Sequence, residues 1–268
     1  MAATEPSPPN DLHLPTIQPT KFKDWVVVVT GAAAGIGRET AHHFAAQGAQ
    51  LILLDINESG LKETQSLIQA SGGKADTRKC DVSDEPDVNA AIAWTISTYA
   101  RIDVLANLAG IYGFQPLTEY SSELYHRHIS VNVNGSFFLT RAVLPHMQKA
   151  GFGRIIHTSS TTYADPKPGL SAYVMSKAAV VGLVRSAAVE AGPGVTVNAV
   201  MPGLIDTEEM RSKDGYEGIR EKILENRAVK RDGKPIDVAR TIAFLASPEA
   251  GFMTGQVVNC SGGETFSF

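Results

Sequence analysis

Short apolar runs recur along this chain, each followed by a longer stretch in which apolar positions return with helical spacing. The first run, Trp25-Val26-Val27-Val28-Val29-Thr30, is rich in β-branched side chains, the pattern of a strand covered on both faces. The alternation predicts strands at residues 25–30, 50–55, 75–79, 102–107, 154–158, 195–200 and 256–259. Helices are predicted between and after them at about 35–47, 58–70, 84–99, 121–149, 172–190 and 237–246. Such alternation with short loops predicts an α/β fold, a doubly wound parallel sheet of Rossmann type, in a single domain. Two stretches break the pattern. Residues 1–20 are proline-rich and poor in large apolar side chains, and read as a disordered tail ahead of a domain spanning 21–268. Within that domain, about 204–234 mixes glycines and charges with broken helical periodicity, as in a loop that covers a site.

Composition changes this picture mainly by exclusion. A formal net charge of −4 argues against nucleic acid as the main partner, because neutralising phosphates needs a basic face. Cys80 and Cys260 have neither metal-type nor disulfide-framework spacing, which fits a reducing compartment and a cytoplasmic protein. No apolar run approaches the roughly 18 residues of a membrane helix, and Glu5, Asp11 and several prolines stand where a secretory leader would be apolar. No membrane association is expected. His42 and His43 are adjacent, and His126 and His128 are two apart on a predicted helix, so neither pair converges; no protein-bound metal is expected.

Candidate chemistry starts at the end of the first strand, with Thr30-Gly31-Ala32-Ala33-Ala34-Gly35-Ile36-Gly37. Glycines between a buried strand and a helix allow a tight turn and let backbone approach a pyrophosphate at the helix N-terminus, although the same spacing also serves a plain strand-to-helix turn. Asp55 ends the second strand, where a carboxylate accepts ribose hydroxyls and repels a 2′-phosphate; capping the next helix is its other reading. No basic side chain stands at Ala34 or Ile56, and Arg38 is the one nearby cation. NAD is the expected cofactor, with NADP not excluded.

Tyr173 and Lys177 lie four apart on a predicted helix, with Cβ atoms roughly 5–6 Å apart. An ammonium that close interacts with a phenolate by about 3 kcal/mol at an effective dielectric of about 20. That would bring a tyrosine from ~10 towards ~8, fit to exchange protons with an alcohol or ketone near neutral pH. Alone, this spacing more often marks a packed tyrosine beside a solvated lysine.

Taken in order, the glycine turn, Asp81-Val82, Asn107-Leu108-Ala109-Gly110, Asn132, Ser159-Ser160, Tyr173/Lys177 and Pro202-Gly203 make the chain resemble the short-chain dehydrogenase/reductase family, in its compact single-domain form. The match runs from about residue 23 to 263. The resemblance implies a catalytic tetrad of Asn132, Ser160, Tyr173 and Lys177, with Ser160 preferred to Ser159 for its interval of 13 positions before Tyr173. It also implies that Asn132 keeps a water in line with Lys177. Cofactor contacts are implied at Gly31, Gly35, Ile36, Gly37, Asp55, Asp81, Val82, Tyr173 and Lys177. Asn107, Ala109 and Gly110 would floor the adenosine half, and Pro202, Gly203, Ile205 and Thr207 would lie by the nicotinamide. Leu108 departs from the family's second asparagine, and Ser261 from the aspartate that commonly precedes two glycines. A homo-oligomer, dimer or tetramer, is implied.

The expected activity is hydride transfer between NAD and a secondary alcohol or ketone. Residues 111–117, 161–170 and the 204–227 cover would wall a partly aromatic pocket, with Tyr112, Phe114, Tyr163, Leu170, Leu204, Met210 and Tyr216, favouring a medium-sized lipophilic or cyclic substrate. Asp165 is read as a loop residue or a substrate contact. An NADP-dependent ketone reductase and a non-catalytic nucleotide-binding scaffold are the alternatives.

Overall fold

The alternating β-branched and leucine-rich runs become a seven-stranded sheet in which every neighbouring pair is parallel. The computed structural model describes residues 21–266; the predicted tail at 1–20 lies outside the described residues. The strands are β1 (Val26–Thr30), β2 (Gln50–Asp55), β3 (Lys74–Lys79), β4 (Val104–Asn107), β5 (Gly153–Thr158), β6 (Val195–Pro202) and β7 (Val257–Cys260), in the spatial order β3-β2-β1-β4-β5-β6-β7. The helices are α1 (Gly35–Ala45), α2 (Glu58–Ala70), α3 (Glu85–Tyr99), α4 (Ser122–His128), α5 (Gly135–Ala150), α6 (Ser171–Glu190), α7 (Glu208–Arg211), α8 (Tyr216–Asn226) and α9 (Pro235–Ala246).

Two-fold alternation along each strand divides the core into two layers. Val27 and Val29 join Phe44, Leu51, Leu53, Ile68 and Ile242 on the face covered by α1, α2 and α9. Val26 and Val28 join Ile52, Ile92, Leu139, Val143, Val180 and Val184 on the face covered by α3, α5 and α6. The order of strands reverses between β1 and β4, so the crevice beyond their carboxyl ends is the natural ligand site of such a sheet. The glycine turn and Ala109-Gly110 both open onto that crevice.

The structure departs from the predicted elements in three places. The helix predicted over 121–149 is broken by a π-helical stretch, Ile129–Asn134, which widens the turn around buried Asn132. The predicted loop at 204–234 contains α7 and α8, whose charged sequences hide their periodicity. Finally, α6 is long and apolar enough by length and composition to cross a membrane, with a window of mean hydropathy 1.3, contrary to the expectation that no segment approaches that length. Lys177 and Arg185 interrupt its apolar run. Here its Val180, Val184 and Ala187 face is buried on the sheet.

Candidate active site

The glycine turn is built as its spacing predicts. Gly31 holds φ +66°, a left-handed conformation, and a Cβ on Gly37 would fall onto the Gly31 carbonyl oxygen. Ala34, at the N-cap of α1, offers no side-chain acceptor, so the first N–H groups of that helix are left for a ligand. This uncapped, side-chain-free cradle fits a pyrophosphate.

Asp55 stands beside the turn, its carboxylate accepting the Ala33 N–H (3.1 Å) and the Asn57 N–H (2.9 Å). Capping of α2 belongs to Asn57, which accepts from Gly60 N, so the helix-cap reading of Asp55 is not what the structure shows. Arg38 donates to Thr64 Oγ1 (3.0 Å), the Ala33 carbonyl (2.6 Å) and Glu63 (2.6 Å). Its guanidinium is therefore spent on tying α1 to α2.

The floor of the crevice rests on a polar network the sequence did not disclose. Thr30 Oγ1 accepts from Leu108 N (3.1 Å) and Ala109 N (3.0 Å) and donates to Asn107 Oδ1 (2.7 Å). Asn107 Nδ2 donates to Ser136 Oγ and to His157 Nδ1, each at 3.0 Å. With Nδ1 accepting, His157 carries its proton on Nε2, facing Thr140 Oγ1 (2.8 Å). Burial, reinforced by Lys177, holds this imidazole down at about 3, in keeping with a neutral strut. Asn107 itself is buried with its side-chain donors and acceptor all engaged. Its side chain thus ties β1, α5 and β5 together immediately before Ala109 and Gly110. The anchoring that Leu108 lacks as a side chain comes through its backbone to Thr30. Asp81 is exposed, accepting from Ser83; Val82 is buried and packs close to Gly135.

On α6, Lys177 Nζ lies 5.6 Å from the centre of the Tyr173 ring and donates to the Thr158 carbonyl (2.9 Å) at the end of β5. Tyr173 is flanked edge-on by Tyr112 (5.3 Å) and His128 (6.2 Å). Sequence reasoning considered His128 only as a metal ligand; its place one helical turn before Asn132 was the available signal. The two serines separate clearly. Ser159 Oγ donates to the Lys177 carbonyl, inside the core, whereas Ser160 caps the Thr161–Tyr163 turn with its hydroxyl near enough to Tyr173 to pull that phenol down. Asn132 uses Oδ1 on Ile111 N (2.8 Å) and Nδ2 on Ile111 O (3.0 Å) and Ser176 Oγ (2.9 Å). Its side chain pins the 111 loop to α6. Asn132 Oδ1 and Lys177 Nζ both border Gly110, where a Cβ would sit 3.1 and 3.3 Å from them.

The expected acidity of Tyr173 is not found. Burial pushes the phenol up to about 12, hydrogen bonding to Ser160 pulls it back only in part, and Tyr112 raises it further. Burial also brings Lys177 down to about 8. Spacing measured the distance between two charges and omitted the cost of burying either. Because folded Lys177 loses its proton at lower pH than in the unfolded chain, the unfolded state binds more protons between about 8 and the ordinary lysine range. Its contribution to stability therefore rises with pH over that window. Denaturant titrations at about pH 7 and about pH 10 should show this increment in the wild type and not in Lys177→Met.

Beyond β6, Ile205 is buried and bridges to Gly233, and Thr207 caps α7 through Met210 N. The Thr207 methyl packs 3.5 Å from where a Gly35 Cβ would be, so the start of the cover closes over the glycine turn. Two expected pocket residues are buried. Tyr216 is buried, its hydroxyl donating to Asp206 (3.0 Å), and Leu170 is buried at the head of α6. Asp165 pairs with Lys167.

A family model described as enoyl-(acyl carrier protein) reductase matches residues 31–265. An uncharacterized oxidoreductase of Thermotoga maritima is 38% identical over 249 residues, 91% of this chain and 98% of the relative. The chain belongs to the short-chain dehydrogenase/reductase family. A second relative in this family, a 7alpha-hydroxysteroid dehydrogenase of Escherichia coli, is 35% identical over 237 residues, 88% of this chain and 92% of its own. The crystal structure of an NAD+-bound xylitol dehydrogenase superposes with a TM-score of 0.86 at 29% identity, covering 91% of this chain and all of the other. By name these relatives are an oxidoreductase and two dehydrogenases, one of them solved with NAD+ bound, and this chain is an oxidoreductase of that family with the same Rossmann-type sheet. Their names span a steroid and a sugar alcohol, so the family is shared and the substrate is not.

Proposed function

We propose that the protein oxidises a medium-sized lipophilic or cyclic secondary alcohol with NAD, or runs the reverse reduction, using Tyr173 as the proton-exchanging group. The observation that carries this reading is the convergence of Tyr173, Ser160 and Lys177 at the carboxyl edge of the sheet, beside an uncapped glycine turn. When bound, NAD supplies a hydride acceptor and a positively charged ring. Gly31, Gly35, Ile36 and Gly37 would hold the pyrophosphate, Asp55 the adenosine ribose, Asp81 and Val82 the adenine, and Asn107, Ala109 and Gly110 the floor. Pro202, Gly203, Ile205 and Thr207 flank the nicotinamide.

Ser160 fixes the substrate oxygen and stabilises charge developing on it. Tyr173, protonated at neutral pH as it stands, donates readily; it would accept once the positive charge of the nicotinamide adds to that of the Lys177 ammonium already 5.6 Å from its ring centre. Asn132 keeps the 111 loop and α6 in register, and a water in contact with its backbone and Lys177 would link the site to solvent.

Preference for NAD is supported by the Asp55 carboxylate at the end of β2 and by the engagement of Arg38 Nε and Nη2 with Thr64, Ala33 and Glu63. Wild-type protein should bind NAD at least ~10-fold tighter than NADP, about 1.4 kcal/mol, in equilibrium titrations. A panel of secondary alcohols, read by absorbance of the reduced cofactor, tests the activity; tighter NADP binding or no turnover on any member would refute this reading. Exposed Tyr112 and Phe114 support an apolar substrate. Free Cys80 and Cys260 are consistent with the cytoplasm. Large exposed side chains such as Phe137, Phe244 and Phe252 support a homodimer or homotetramer, which light scattering would read directly.

A further inference from the structure

Segments far apart in sequence meet on the backbone of Leu204, the residue that leads from β6 into the cover. Its N–H donates to Glu264 Oε2 (2.9 Å), and its carbonyl accepts from Arg227 Nη2 (3.0 Å). The same Nη2 donates to Glu264 Oε2 (2.7 Å), while Arg227 Nη1 donates to the Arg231 carbonyl (3.1 Å). One ion pair thus holds both polar groups of a single backbone residue. Its side chains are only 3% and 14% exposed. Two further links bind the same strands of chain: Val229 N to Gly262 O (2.8 Å) and Gly203 N to Cys260 O (3.3 Å).

A buried ion pair is a weak source of stability, because desolvation offsets much of the attraction. Its placement is the more telling fact. Leu204 immediately precedes Ile205 and Thr207, and Thr207 lies over Gly35. We propose that Arg227 and Glu264 are positioning residues that fix the Leu204 hinge, so that Ile205 and Thr207 meet the bound dinucleotide; this rests on the NAD reading above. The C-terminal residues 261–264 thereby belong to the cofactor site although none of them touches the glycine turn.

The test uses the full chain and three variants: Glu264→Ala, Glu264→Gln and Arg227→Met/Glu264→Leu. Two apolar side chains of similar length remove the charge pair without leaving either ion alone. The double variant should stay folded at 25 °C with a lowered unfolding temperature and bind NAD ~10-fold more weakly, having lost both hydrogen bonds to Leu204. It should also be cleaved faster by protease within 204–234 and raise KM for alcohol more than it lowers kcat. Glu264→Gln keeps an oxygen for the Leu204 N–H and should recover most of the affinity lost in Glu264→Ala. A double variant with wild-type NAD affinity and cleavage rate would overturn the proposal. If the double variant does not fold, the alanine and glutamine variants decide alone, equal affinities counting against a positioning role. Failure of the wild type to bind NAD would defeat the dinucleotide reading itself, and the cleavage pattern would then judge the Leu204 clamp independently.

Discussion

Tyr173→Phe should lower turnover by ~10³-fold or more while leaving NAD affinity at the wild-type value. The substitution deletes one hydroxyl and retains the ring that packs between Tyr112 and His128, so the fold around it has no reason to move. What is lost, on the proposed reading, is the hydroxyl that exchanges a proton with the substrate oxygen beside Ser160. Neighbouring residues are poor substitutes: His157 is buried, neutral and spent on Asn107 and Thr140, and Lys177 is turned to the Thr158 carbonyl. Single-turnover absorbance of the reduced cofactor, alongside titration of NAD by fluorescence, separates chemistry from binding. Turnover within a few-fold of wild type would remove Tyr173 from the chemistry.

Gly37→Ala should weaken NAD binding by ~100-fold, about 2.7 kcal/mol, and lower the thermal midpoint as well. A Cβ there would coincide with the Gly31 carbonyl oxygen, which is backbone and has no rotamer to yield. Relief requires the turn to open, and opening it moves the first N–H groups of α1 away from the pyrophosphate position. Gly182→Ala is the control, since a Cβ there meets nothing within 4 Å. Calorimetric titration and thermal denaturation of both variants give the comparison. An alanine at 37 that binds NAD normally would show that the turn does not cradle the cofactor.

Much of this was legible along the chain because it depends on local spacing. Val27 and Val29 alternate with Val26 and Val28 between two core layers, which a period of two requires whatever surrounds it. Gly31, Gly35 and Gly37 announce a backbone turn before any neighbour is known. The four-residue spacing of Tyr173 and Lys177 puts them on one helical face by geometry alone. Less legible was Arg38, which stood in the sequence as a candidate phosphate cation and proved to be tied to Glu63 and Thr64 on another helix. The helix predicted over 121–149 concealed its π-helical stretch because Asn132 finds its partners at Ile111 and Ser176, outside the predicted element.

The sequence by itself determined the parallel α/β sheet, the glycine turn after β1, the acid at the end of β2 and the pairing of Tyr173 with Lys177. Only the tertiary structure decided that burial holds the tyrosine's proton, what Asn107 is hydrogen-bonded to, and that Glu264 reaches across to Leu204. Periodicity fixes which side chains share a strand or helix face. Burial, protonation and hydrogen-bond partners are set by elements that arrive from elsewhere in the chain, and those energies exist only once the layers have closed.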